Sequence, residues 1–278
     1  MNKLVETRPT QRTQPVSVAT LGQMKRDNQP IACLTAYDAS FAALAERANM
    51  DLVLVGDSLG NVIHGQATTT SVSVDDIVYH TRCVAAGLST PLLAADLPFL
   101  SFATTADAVA SSRRLIGEGG ASMVKVEGGA ADTSIVETLA QNGVPVCAHL
   151  GLRPQQVHKT GGFKIQGRSK DAAKKLAAEA RQFEAAGADL LLLECVPSPL
   201  ARRIAATAKV PVIGIGAGPD VDGQILVSHD VIGLSAGKKP KFVRNFLASH
   251  DSLDEAVEAY VEAVRHRYFP SADESFDS

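Results

Sequence analysis

From Ile31 onward the chain alternates short apolar runs with longer, alanine-rich segments of helical spacing, a rhythm that few architectures accommodate. The runs are IACLTAY, LVLVG, PLLAAD, MVKVE, PVCAHL, DLLLLE, VPVIGIG and HDVIGL. Between them lie segments such as SFAALAERA, DDIVYHTRCVAAGL, TADAVASSRRLIGEG, DTSIVETLAQNG, SKDAAKKLAAEARQFEAAG and SPLARRIAATA, several ending in glycine, a common helix stop. Strands that alternate with helices build a parallel sheet. About eight such units favour a closed (β/α)8 TIM barrel over an open doubly wound sheet. KPKFVRNF and DSLDEAVEAYVEAVRHRYF read as additional C-terminal helices, packed on the barrel or on a neighbouring subunit. Residues 1–18 are polar and lack the continuous apolar segment of a secretory leader. They are expected to form a flexible arm ahead of a single catalytic domain over 19–278.

Composition narrows the class of function. With 45% hydrophobic and 21% charged residues among 278, the chain has ample core material for a globular fold. No window approaches the roughly 20 apolar residues of a membrane span, and a net charge of −3 gives no bulk attraction to nucleic acid or anionic lipid. Small-molecule chemistry in the cytoplasm is the expectation. Cys33, Cys83, Cys147 and Cys195 are scattered without a CxxC pair and read as reduced core residues. VIGIGAGP departs from the GxGxxG pattern because Pro219 takes the last glycine position, so its glycines read as a tight turn rather than a nucleotide loop.

The apolar runs repeatedly close on ionisable groups: LVLVGDS on Asp57 and Ser58, LLAAD on Asp96, LLLLE on Glu194, MVKVE on Lys125 and Glu127, PVCAH on His149. A charge at a strand end can simply mark where chain meets water. Parallel strands with helical returns, however, bring corresponding ends to one face, where barrel enzymes carry their chemistry. Asp57, Asp96 and Glu127 can present carboxylate oxygens to a hard divalent cation such as Mg²⁺, which takes one or two protein carboxylates and fills its shell with water and substrate. Glu194 follows four leucines, an apolar flank that suits a base removing a proton from carbon. Lys125 can steady a developing anion or form a Schiff base. His149 can donate a hydrogen bond to a substrate oxygen. Two long connections, HGQATTTSVSV and GLRPQQVHKTGGFKIQGRS, fall at the same face and read as substrate walls or lids.

In order along the chain, LTAYD, VGDSLG, HGQATTT, AADLPF, VKVEGG, AHLGLRPQ, GGFKIQGR, LLLECVP and VIGIGAG resemble the ketopantoate hydroxymethyltransferase family from about Ile31 to Phe246. The resemblance implies transfer of a one-carbon unit from 5,10-methylenetetrahydrofolate to 3-methyl-2-oxobutanoate, the first committed step of pantothenate synthesis. It implies a Mg²⁺-dependent barrel assembled as a homodecamer of two pentameric rings. By motif, Asp57 and Asp96 match metal ligands that also contact substrate, Glu127 belongs to the metal shell, and Ser58 and Lys125 match contacts to the oxo acid. His149 lies against the substrate and Glu194 is the expected proton acceptor. In that chemistry the metal stabilises an enolate, which attacks the folate-borne methylene. Rival readings are a Mg²⁺-dependent lyase or mutase of the phosphoenolpyruvate mutase/isocitrate lyase type, a Schiff-base aldolase using Lys125, and a non-catalytic binding barrel. Folate dependence, borohydride trapping and turnover, respectively, separate them.

Overall fold

Successive side chains of a strand point to opposite faces, so each apolar run here serves two cores. The computed structural model describes residues 12–235 and 239–277. Its strands β1 (Ile31–Thr35), β2 (Leu52–Val55), β3 (Leu92–Asp96), β4 (Met123–Glu127), β5 (Val146–Gly151), β6 (Leu190–Glu194), β7 (Val212–Ile215) and β8 (Gly223–Leu226) close a barrel in sequence order. All neighbouring pairs are parallel, with β8 returning to β1. Leu52, Leu54, Leu92, Met123, Leu190 and Leu192 pack with one another inside. Val53, Val55, Leu93, Val124, Leu191 and Leu193 pack outward against the helices. One alternating pattern thus fills the barrel and attaches its jacket.

The jacket helices start where the sequence supplies caps. Ser73 and Thr104 each accept from the backbone N–H three residues on, while Asp76 and Asp107 reach back, forming capping boxes worth about 1 kcal/mol each. Helix Val18–Arg26 plugs the N-terminal end of the barrel, placing Leu21 and Met24 in the interior cluster. Among the described residues no helix is long and apolar enough to cross a membrane.

Three expectations need correction. The eighth strand is GQIL rather than HDVIGL: Ser228–Val231 is a short helix, and the Ser228 N–H donates to Thr35 Oγ1 at 3.0 Å as the chain leaves the barrel. GQIL hides itself because it opens on Gly223 and carries Gln224, a polar residue that is buried yet satisfied, donating to the Gly218 carbonyl at 3.0 Å. KPKFVRNF is not helical. Pro240 interrupts it, Val243 and Phe246 turn into the core, and the one long C-terminal helix, Leu253–Arg265, packs on β1 and on helix Ala39–Arg47. Its Tyr260 hydroxyl donates to the Cys33 carbonyl at 2.7 Å.

The expected N-terminal arm lies outside the described residues for 1–11, whereas 12–18 lie against the barrel. Arg12 Nη2 meets the fully buried Asp51 at 2.6 Å, Val16 is buried, and the Val16 N–H donates to the Thr90 carbonyl at 2.7 Å. Asp51 sits beside the start of β2, so a buried carboxylate there requires these donors. All four cysteines are free thiols, and Cys33, Cys147 and Cys195 are buried.

Gly223 faces Ile31 of β1 and Ile213 of β7 in register. A Cβ at this position would lie against the Ile31 carbonyl oxygen and within 2.7 Å of Ile213 Cδ1. Closure of the barrel therefore depends on a missing methyl group. Gly223→Ala is expected to lower stability by about 1–3 kcal/mol, the usual range for overpacking. A urea titration checks it; an unchanged midpoint would show that β1 and β8 can separate freely.

Candidate functional site

The period-two pattern that fills the barrel also delivers its polar residues. Leu92 and Ala94 point inward, so Asp96 does too; Met123 inward implies Lys125 and Glu127; Leu190 and Leu192 imply Glu194. Register then sets neighbours across strands: Asp96 pairs with Lys125, Glu127 with His149, and Gly151 with Glu194. Asp57 and Ser58 follow β2 at the turn into helix Leu59–Val62. All seven expected residues line one cavity of about 240 Å³ at the C-terminal ends of the strands. Asp57, Asp96, Lys125, Glu127 and His149 are each at most 5% exposed, while the Glu194 side chain, at 16%, is the most accessible of the acids.

Charge in this cavity does not balance. Lys125 Nζ stands 3.2 Å from Asp96 Oδ1, 3.5 Å from Glu127 Oε1 and 3.2 Å from His149 Nδ1. One ammonium thus faces three buried carboxylates. Burial pushes Asp57 and Asp96 up to about 7 despite the opposing pull of Lys125, and raises Glu127 as well. For Lys125, burial alone would favour the neutral amine, but Asp96, Glu127 and Asp57 together outweigh it and hold the ammonium. A permanently protonated lysine is a poor Schiff-base nucleophile. Burial and the Lys125 charge lower His149 to about 4, so its imidazole is neutral near pH 7. With Nδ1 accepting from Lys125, the ring proton sits on Nε2, which lies 3.2 Å from Glu194 Oε2.

Each carboxylate has an oxygen held by a donor other than Lys125, and in Glu127 the second oxygen also accepts from Lys125 at 3.5 Å. Gln155 Nε2 donates to Asp57 Oδ2 at 3.0 Å, the Asp57 N–H to Asp96 Oδ2 at 2.9 Å, and the Gln155 N–H to Glu127 Oε2 at 3.2 Å. Asp96 Oδ1 has no hydrogen-bond partner and faces only the Lys125 ammonium. An unsatisfied, buried carboxylate oxygen amid excess negative charge suits a hard divalent cation. Among the described residues no group of three or more His, Cys, Asp or Glu side chains is placed to hold a metal ion together. The donor set therefore fits an ion that keeps most of its shell for water and substrate, rather than a structural metal.

Sequence reading missed three contributors. Gln155 carries no charge and follows a loop proline, Pro154, which opens a 3-10 turn, so no ionisable group closing an apolar run marks it. Tyr37 exchanges a hydrogen bond with Ser58 Oγ at 2.8 Å and is fully buried, holding that hydroxyl at the cavity edge. Gly151, at φ +94°, lies so close to the Glu194 carbonyl that any side chain would displace the strand that carries Glu194. The outer wall is apolar: Leu152, Phe163, Ile215, Val227 and Phe242 line the mouth, with Asp230 among them. Of the two long connections, both supply wall residues, Thr69 from the first and Phe163 from the second.

Comparison with known proteins gives the chain's relatives. The model of the ketopantoate hydroxymethyltransferase family matches residues 15–272. A 3-methyl-2-oxobutanoate hydroxymethyltransferase of Alkalilimnicola ehrlichii is 52% identical over 96% of this chain and 97% of its own length. The protein of the same name from Halorhodospira halophila is 53% identical over 95% of each. Among solved structures, a phosphonopyruvate hydrolase in complex with oxalate and Mg²⁺ superposes with a TM-score of 0.61 at 16% identity, covering 91% of this chain and 99% of its own. A 2,3-dimethylmalate lyase of the phosphoenolpyruvate mutase/isocitrate lyase superfamily superposes at 0.56 and 16%, over 77% and 81% of the two chains. These two likenesses concern the fold alone.

The buried acids make stability depend on pH in a direction that can be checked. Because Asp57 and Asp96 titrate higher in the folded chain than in the unfolded one, the native state holds more protons between about pH 4 and 7. The metal-free protein is therefore expected to lose stability as pH rises through that window. Asp57→Asn should flatten the dependence and exceed the wild type in stability at pH 8 in chelator. Urea midpoints at pH 5 and 8 decide it, and a wild-type midpoint that rises with pH would contradict the charge imbalance.

Proposed function

The chain belongs to the ketopantoate hydroxymethyltransferase family, and on that premise we propose that it transfers a hydroxymethyl group from 5,10-methylenetetrahydrofolate, as co-substrate, to 3-methyl-2-oxobutanoate, giving 2-dehydropantoate for pantothenate synthesis. One observation carries the reading beyond the family name. Three buried carboxylates face a single ammonium, and Glu194 stands across the cavity, 3.2 Å from a neutral His149. A cation-seeking cluster opposite an accessible base is what removal of a proton beside a ketone requires.

In this proposal Asp57 and Asp96 would hold Mg²⁺ directly, and Glu127, both of whose oxygens are engaged by Lys125 and the Gln155 N–H, would belong to its shell through water. When bound, the ion supplies a Lewis acid for a chelating 2-oxo acid. The remaining steps belong to the chain's own residues. Lys125, kept protonated by its carboxylates, and Ser58, held by Tyr37, receive the oxygens of the oxo acid. Glu194 takes the proton from the third carbon. His149 is neutral and its Nε2, 3.2 Å from Glu194 Oε2 and without a hydrogen-bond partner of its own, can donate to the Glu194 carboxylate or a substrate oxygen without competing as a charged acid. The apolar mouth around Phe163 and Phe242 gives the folate ring a surface and keeps bulk water from the carbon nucleophile. Positioning of two substrates in one cavity supplies much of the rate.

The Schiff-base route finds no support, since Lys125 is held as an ammonium. The family expectations of a homodecamer and of a cytoplasmic location stay within the proposal. Light scattering that finds a stable monomer at micromolar concentration would contradict that assembly.

The reaction is tested by a coupled assay with 3-methyl-2-oxobutanoate and methylenetetrahydrofolate, with and without Mg²⁺. Asp57→Ala and Asp96→Ala should abolish turnover, Glu127→Ala should reduce it less, and undiminished activity in EDTA would sink the metal role. Glu194→Gln should bind metal and oxo acid yet lose roughly 10²–10⁴-fold in rate, the usual worth of a general base. Exchange of the third-carbon proton with deuterated water, followed by NMR without folate, isolates that step. A variant exchanging as fast as wild type would transfer the role of base to His149.

A further inference from the structure

Gln155 is 5% exposed and does not line the cavity; it stands behind the carboxylates. Its side-chain amide nitrogen donates to both Asp57 Oδ2 and the Leu97 carbonyl, each at 3.0 Å, and its backbone N–H donates to Glu127 Oε2 at 3.2 Å. Both protons of the NH₂ group are thereby used, and the two partners, both acceptors, fix which end of the amide is nitrogen. A single residue from the loop after β5 so ties the ends of β2, β3 and β4 together.

The type of donor matters as much as its place. A lysine or arginine at this position would neutralise Asp57 and Glu127 and compete with a cation for them. A neutral amide orients a carboxylate and leaves its charge in place. We propose that Gln155 is the positioning residue of a divalent-cation site: its amide fixes Asp57 Oδ2 so that the other oxygen faces the ion, and its backbone N–H fixes Oε2 of Glu127, whose Oε1 meets Lys125 at 3.5 Å. This rests on the metal reading above and goes beyond it by assigning the orientation of two carboxylates to a residue outside the cavity.

Two consequences follow from the geometry. Removing the amide leaves Asp57 Oδ2 buried without its donor and the carboxylate free to turn, so cation affinity should fall by about 10–100-fold, the usual effect of losing such a partner. Because coupling is reciprocal, an ion that needs these bonds must also stabilise them, and with them the loop that carries Gln155.

The experiment compares wild type with Gln155→Met, which keeps the side chain's length and the backbone donor but loses the amide. Mn²⁺ binding to metal-free protein is read from the electron paramagnetic resonance of the free ion. We expect a 10–100-fold weaker Kd, a parallel rise in the Mg²⁺ concentration for half-maximal turnover, and a kcat at saturating Mg²⁺ that is largely kept. A folded variant that binds Mn²⁺ as tightly as wild type, even with a lower melting temperature, would make Gln155 a plain strut and overturn the proposal. If the Met variant does not fold, Gln155→Asn, too short to reach both Asp57 and Leu97, is judged by the same criterion. Wild type supplies an independent reading: peptides covering residues 152–160 should exchange amide hydrogen more slowly in Mg²⁺ than in chelator, and equal exchange would count against the assignment. Failure of wild type to bind Mn²⁺ at all would instead remove the metal reading itself.

Discussion

The rest of the structure is arranged around the Lys125 ammonium and the three carboxylates it cannot satisfy. Ionised groups in a low-dielectric interior are tolerated only when paired and hydrogen-bonded, and pairing here is incomplete by design of composition: one positive group lies within 3.5 Å of Asp96 and Glu127, with Asp57 beside them. The apolar layer beneath, including Leu54, Met123, Leu192 and Ile213, withholds water from below. Only the mouth remains as a source of compensating charge. Burial first, and the charges around it second, keep histidine neutral and two aspartates reluctant to ionise, while the same carboxylates keep lysine protonated.

Convergence of these groups is a matter of strand arithmetic. A period of two sends every second residue inward, and parallel register sets inward residues of neighbouring strands side by side. Asp96 against Lys125 and Glu127 against His149 are pairings of the sheet itself. Glu194 departs from this economy, since its nearest register partner is Gly151, whose φ of +94° and absent side chain make room for the β6 backbone. The most accessible acid of the cavity is held by strand geometry rather than by a dense hydrogen-bond network.

What could be read beforehand follows from which physical signals are local. The strand ends were legible because an ionisable residue closing an apolar run is anomalous within five or six residues. The placement of all seven expected side chains around one cavity is a consequence of that signal and of barrel topology. β8 was misplaced because its inward and outward demands are met by Gly223 and Gln224, which no hydropathy pattern marks as strand, while the apolar HDVIGL just beyond forms a short helix. Gln155 and Tyr37 escaped for a different reason. Their function is to hold other side chains across strands, a relation between distant residues that leaves no trace in the segment around either one.

These two kinds of signal divide the labour of the site. Charged residues at strand ends create the demand for a cation and a base, and they do so at a cost to the folded chain. Neutral, buried donors reached from loops decide how that demand is directed, because they orient oxygens without cancelling charge. A site built only from the first kind would bind cations loosely and titrate broadly; one built only from the second would bind none. Stability and function are then joined in one quantity: a ligand that binds only the folded chain stabilises it by mass action, so whatever cation relieves the carboxylates also steadies the barrel that assembled them. The closed strand order makes this linkage global, since Asp57, Asp96 and Glu127 belong to the ends of adjacent strands and none can relax without moving a neighbour.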